Sequence, residues 1–115
     1  MPLMQIKTNV ILPEKQCEAL LAPLSKLLAE LTHKPEAYCM VACEHAAMLF
    51  AGKTGPAAFV DIRGIGGLTR EVNAQLAAAL TEQLKKTLGV PPERLYCTFT
   101  EVAPTNWGWK GNLFG

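Results

Sequence analysis

Two segments of this chain repeat one another, and the repeat constrains the fold more than any other feature. The first reads Pro35-Glu36-Ala37-Tyr38-Cys39 and the second Pro92-Glu93-Arg94-Leu95-Tyr96-Cys97. Each follows a stretch of helical periodicity and leads into an apolar, strand-like run. A repeated helix exit followed by a strand predicts a duplicated β-α-β unit. A helical crossover joins parallel strands with right-handed sense. Two such units predict an α+β fold: a four-stranded mixed sheet with both helices on one face.

The rest of the chain fits that frame. Pro2–Val10 is an apolar, strand-like opening. Pro13 suits a helix start, and Glu14 falls where the helix dipole favours an acid. Cys17, Leu20, Leu21, Leu24, Leu27, Leu28 and Leu31 then recur at helical spacing. Pro23 interrupts the pattern chemically but not in period, and predicts a kink. The helix should end near Thr32-His33, because Lys34 precedes Pro35. A second strand is predicted at Ala37–Cys43, a connection at Glu44–Ala47, a short strand at Met48–Ala51 and a turn at Gly52–Pro56. Ala57–Arg63 reads as a strand and Gly64-Ile65-Gly66-Gly67 as a glycine-rich turn. Thr69 can cap a second helix with the stripe Val72, Leu76, Ala79, Leu80, Leu84 and Leu88. Gly89 and Pro91-Pro92 stop it, and Leu95–Glu101 is the last long strand. The tail from Pro104 to Gly115 is rich in glycine and aromatics.

A chain of 115 residues makes one domain, residues 1–115. Half of it is hydrophobic, enough for a core, so the helix-free sheet face is expected to be an apolar patch that needs a cover. Self-association is the simplest cover. The net charge of +1 comes without a basic run, which leaves nucleic acid no electrostatic footprint. No apolar stretch reaches the roughly 20 residues of a membrane span. The opening residues do not read as a secretory signal. Cys17, Cys39, Cys43 and Cys97 form no Cys-x-x-Cys pair, and with His33 and His45 they lack metal-site spacing. They read as isolated thiols of a reducing compartment.

Met1-Pro2 is by itself an ordinary strand start. If Met1 is removed, Pro2 becomes a secondary amine, and a free α-amine has a pKa of about 7.7–8.0. While Met1 is attached, the Pro2 nitrogen is an amide without basicity. Lys34 and Arg63 each read alone as solvated cations. Meeting near Pro2, they would attract a carboxylate and lower the pKa of a nearby amine. Both effects suit an amine base acting on an anionic substrate. The glycine turn lacks the spacing of a dinucleotide fingerprint, but such a turn can aim N–H groups at a carboxylate. Tyr96 reads alone as a core tyrosine, and Trp107 and Trp109 as sheet cover or as a wall for an aromatic ligand. No Ser-His-Asp or Cys-His arrangement is visible.

Met1-Pro2, Thr8-Asn9, Lys34-Pro35, Ile65-Gly66-Gly67, Pro92-Glu93-Arg94-Leu95-Tyr96 and the tail from Gly108-Trp109 to Phe114 stand in register at one family's length. Together they resemble the macrophage migration inhibitory factor family, which includes D-dopachrome tautomerase. The resemblance implies a homotrimer with sites between subunits, and cofactor-free keto–enol tautomerisation of phenylpyruvate-like or dopachrome-like substrates. It implies Pro2 as the proton carrier. Lys34 and the Ile65 N–H would hold the carboxylate or carbonyl, Tyr96 would come from a neighbouring subunit, and Trp109 would line the pocket. The substrate would be a small enolisable 2-keto acid or aromatic carbonyl, and the location cytoplasmic or secreted without a signal peptide. The alternative is a cytokine-like ligand for a receptor, with little or no turnover. Four departures bear on specificity. Thr98 stands where the vertebrate cytokine has a substrate-bonding asparagine. Trp107 replaces a small aliphatic residue, and Arg63 a histidine. Ala57-Ala58-Phe59-Val60 replaces the Cys-x-x-Cys of vertebrate members.

Overall fold

The computed structural model describes all of residues 1–115. Strand β1 (Leu3–Thr8) buries Met4, Ile6 and Thr8 and exposes Gln5 and Lys7, the two-residue period of a strand with one covered face. Helix α1 (Glu14–Thr32) follows. Its entry is held by the Pro13 carbonyl, which accepts from the N–H groups of Gln16 and Cys17 at 2.9 and 3.0 Å. It runs on through Pro23, which is exposed. It closes at His33, in left-handed geometry with φ 57°, and the Lys34 N–H donates back to the Ala29 carbonyl at 3.1 Å. That bond fixes where the Lys34 side chain begins.

Strand β2 (Met40–His45) pairs parallel to β1, with Leu3 opposite Met40 and Thr8 opposite His45. Strand β3 (Ala58–Gly64) pairs antiparallel to β1, and β4 (Leu95–Glu101) pairs parallel to β3. The order β2-β1-β3-β4 sets the two β-α-β units side by side, running in opposite directions. Helix α2 (Arg70–Leu88) is capped by the Thr69 hydroxyl, which accepts from the Val72 N–H at 3.2 Å, and ends at Gly89 with φ 67°. Leu24 and Leu28 of α1 and Leu76, Leu80 and Leu84 of α2 pack on Met4, Ile6, Val60 and Ile62. Each is essentially inaccessible to solvent, and each contributes on the order of 2 kcal/mol by leaving water. The duplicated mixed sheet with both helices on one face is the expected fold.

Three expectations need correction. The second strand begins at Met40 rather than Ala37, because Glu36–Tyr38 forms a short 3-10 turn, and it runs on to His45. Met48–Ala51 is not a strand. It is part of a loop with one isolated bridge, Phe50 to Lys53, and a left-handed Ala51 at φ 53°. Its carbonyls are gathered by Arg94: the guanidinium donates to the carbonyls of Phe50, Lys53, Gly55 and Pro56 at 2.9–3.3 Å. The helix-free sheet face is not a uniform apolar patch. Gln5, Lys7, Asp61, Arg63 and Thr98 occupy its middle, beside Phe59.

Candidate active site

Pro2 sits just ahead of β1 and is buried. Its carbonyl accepts from the Met40 N–H at 3.1 Å, which staples the start of the chain to the start of β2. Above it opens a cavity of about 400 Å³ lined by Met1, Pro2, Leu3, Ala37, Tyr38, Cys39, Met40, Trp107, Gly108, Trp109 and Phe114. The tail builds one wall. Strands β5 (Gly108–Trp109) and β6 (Asn112–Leu113) form a two-residue hairpin. Its turn residues Lys110 and Gly111 have φ 53° and 76°, the mirror-image turn that suits twisted strands. The Trp109 ring stacks on Phe114 at 5.9 Å and meets Tyr38 edge-on at 5.4 Å. Lys110 Nζ lies 4.6 Å from the same ring. Trp107, half-buried, belongs to the same wall.

Lys34 packs along the glycine turn, near enough for its ammonium to act on the Met1 amine, but does not line this cavity. A Cβ on Gly67 would lie at an ordinary contact distance, 3.5 Å, from Lys34 Cε and from the Thr32 carbonyl oxygen, so it is the backbone, with φ 83°, that calls for glycine. The turn is tied down by Val102 N–H to the Gly64 carbonyl at 2.8 Å and by Leu68 N–H to Glu101 Oε1 at 3.0 Å. The Ile65 N–H takes part in neither bond. The electrostatics follow from these placements. Burial pushes the Met1 α-amine below its ordinary 8.0, the Lys34 ammonium pushes it further down, and Cys39 opposes them. The Cys39 thiol is raised, first by burial, and donates to the Pro35 carbonyl at 3.6 Å.

Pro2, Trp107 and Trp109 thus share one cavity, and the Lys34 ammonium acts on the chain start from outside its lining. Tyr96, Thr98 and Arg63 are not in this cavity. Tyr96 is exposed on β4, its ring 5.0 Å from Phe50, beside a second apolar hollow of about 400 Å³ lined by Met48, Leu49, Phe50, Ala57 and Phe59. It pairs with Phe59, which pairs with Lys7. Five residues of strand and two strand spacings therefore separate it from Pro2, on the order of 20 Å. Arg63 turns along its own strand to Asp61, Nε to Oδ2 at 3.0 Å, and the Thr98 hydroxyl donates to Asp61 Oδ1 at 2.8 Å. A wider groove of about 790 Å³ runs along α2 past Ala77, Thr81, Lys85 and Pro92. It has no aromatic wall and lies away from the buried chain start.

Tyr38 and Phe114 were not singled out from the sequence as site residues, nor was Glu101 as the anchor of the glycine turn. The helix-exit repeat carried a signal for Tyr38, since it sets Tyr38 and Tyr96 in matching motifs. Nothing local marks Glu101, whose partner is 33 positions away.

A family model described as macrophage migration inhibitory factor matches residues 1–115. The Xenopus tropicalis macrophage migration inhibitory factor is 32% identical over 115 residues, 99% of each chain. The Trichinella spiralis homologue is also 32% identical, over 99% of this chain and 100% of its own. Among solved structures, the homologue from Prochlorococcus marinus superposes with a TM-score of 0.93 at 33% identity, covering 98% of this chain and 99% of that one. The Toxoplasma gondii protein gives 0.92 at 35% identity, over 97% and 99%.

Proposed function

The chain belongs to the macrophage migration inhibitory factor family, and from that premise we propose that it is a keto–enol tautomerase whose base is the amine of Pro2, freed by loss of Met1. One observation carries the reading: the chain start is buried in an apolar cavity beside one ammonium group, which lowers the pKa of an amine placed there. The Pro2 amine would sit one residue deeper in the same surroundings. Unprotonated, it takes a proton from the carbon next to a ketone. The electrons left behind move onto the ketone oxygen, and the protonated amine returns its proton there. Lys34 neutralises the substrate carboxylate and, with the Ile65 N–H, holds it so that the scissile C–H faces the amine. The Tyr38, Trp107, Trp109 and Phe114 rings favour an aromatic 2-keto acid of the phenylpyruvate kind.

The working unit in this proposal is a homotrimer. Tyr96 lies too far from Pro2 to join it within one chain, so a neighbouring copy supplies it. The β5–β6 hairpin pairs only with itself, and a lone two-stranded hairpin is at best marginal in water. A neighbouring copy would cover both the hairpin and the helix-free sheet face.

The deciding experiment is phenylpyruvate ketonisation by the protein and by Pro2→Gly, with loss of Met1 checked by intact mass in both. A positioned base is worth roughly 10²–10⁴-fold, and that is the loss expected. Undiminished turnover in Pro2→Gly would remove the proline from the mechanism. A receptor ligand without turnover would instead keep its binding in that variant.

A further inference from the structure

The two halves of the fold end their first strands differently, and the difference frees a row of backbone N–H groups. In the first half the Thr8 carbonyl accepts from the Ala46 N–H at 2.9 Å, and in the second the Gly64 carbonyl accepts from the Val102 N–H at 2.8 Å. These places are equivalent, since Thr8 lies opposite His45 and Gly64 opposite Glu101. The first turn is then held by its own side chains. The Thr8 hydroxyl accepts from the Val10 N–H at 3.1 Å, and Asn9 binds the Gly55 carbonyl and the Ala57 N–H at 2.7 and 2.9 Å. Gly64 has no hydroxyl to offer, and Gly66 and Gly67 follow with φ 70° and 83°. The N–H groups of Ile65, Gly66 and Gly67 donate to no protein acceptor. This turn is held from β4 instead: the Leu68 N–H donates to Glu101 Oε1 at 3.0 Å, beside the Val102 bond.

We infer that Glu101 is a positioning residue, which pins the far end of this turn so that its free N–H groups hold the substrate carboxylate. The identity of that ligand rests on the tautomerase reading above. Successive glycines are costly to fix, because glycine gives up more backbone freedom than any other residue. Held at Gly64 alone, the turn would pivot about one bond. Held at Leu68 as well, it is strung between two anchors that sit side by side at the end of β4. The Leu68 side chain is buried, so its N–H has little water to turn to. Without Glu101 that donor is left unpaired, and the turn has to reorganise to satisfy it. Lys34 packs against Gly67, so a turn that drifts also leaves the ammonium that shares the carboxylate. What the turn needs from Glu101 is an acceptor oxygen at that reach, which Gln carries and Ala does not.

The test compares the protein with Glu101→Ala and Glu101→Gln, using hydrocinnamate as the probe in amide NMR titrations. The probe is the phenylpyruvate skeleton without its ketone, so no proton transfer at Pro2 enters the readout. Glu101→Ala should weaken it about 3–10-fold and speed hydrogen exchange at Leu68, while the neutral hydrocinnamide changes by less than about 2-fold. Glu101→Gln should restore both affinity and protection. With phenylpyruvate, Glu101→Ala should raise KM more than it lowers kcat. Unchanged hydrocinnamate affinity in Glu101→Ala, equal losses for acid and amide, or no rescue by Glu101→Gln would overturn the assignment. Retained turnover in Pro2→Gly would overturn the base and not the role of Glu101, because the probe has no ketone to turn over.

Discussion

In the proposed reaction Lys34 would act twice, by holding a carboxylate and by depressing an amine. An amine base works unprotonated, so kcat/KM rises with pH through its pKa. Burial and Lys34 both lower the Met1 amine from its ordinary 8.0, and the proposal carries the same direction to a Pro2 amine, so the rise is expected on the acid side of that value. In Lys34→Ala only burial remains as the depressing influence, and the rise moves to higher pH. The plateau value also drops about 10–100-fold, since a charge-assisted bond to the carboxylate is lost. A pH–rate profile of the two proteins reads both effects. Arg94 is the other residue on which a site element depends. Arg94→Ala releases four loop carbonyls and the contact of its guanidinium with the Phe50 ring at 5.6 Å. A loss of about 2 kcal/mol in urea unfolding is expected, with weakened activity through the displaced Tyr96 neighbourhood. Neither role is visible in local sequence. Lys34 reads as a surface cation until the fold sets it near the chain start, and Arg94 serves a loop about 40 positions away.

The elements that could be read in advance are those whose signals are short-range. Helix α1 ends where Lys34-Pro35 forbids continuation, and α2 runs between the Thr69 cap and the Gly89 stop that its sequence displays. The strands flanking them follow from the repeat. Met48–Ala51 misled because an apolar run of four looks the same in a strand and in a loop. Its conformation is decided by Arg94 and by the neighbouring turn, not by its own period. The internal proline gives a prediction at this scale. Pro23 removes one backbone bond from α1 at an exposed position, without breaking the helix. Pro23→Ala restores the donor and a strong helix former, and should stabilise the fold by about 1–2 kcal/mol in urea or thermal unfolding. An unchanged midpoint would mean that the lost flexibility of the unfolded chain already offsets the missing bond.

For the whole molecule, the proposed function makes activity a property of an assembly, because Pro2 and Tyr96 lie far apart within one chain. A chain with Pro2→Gly and a chain with Tyr96→Ala should each be impaired alone. Refolded together, they form some sites that combine an intact Pro2 from one chain with an intact Tyr96 from another. Activity above the mean of the two single preparations is the expected result, and sedimentation should report three times the 12.5 kDa chain mass. A mixture no better than its parts would place Tyr96 outside the site. The duplication adds a matter of counting. A fold made of two like halves has two places where a first strand enters the sheet, yet a chain has only one beginning. At the second entry, the strand arrives through the Phe50–Pro56 loop, and the Ala57 N–H is already donated to Asn9 Oδ1 at 2.9 Å. That nitrogen is a peptide nitrogen and never titrates. Symmetry therefore offers two pockets per chain, and covalent connectivity leaves one of them without a base: a label selective for the N-terminal amine over the eight lysines should saturate at one per chain.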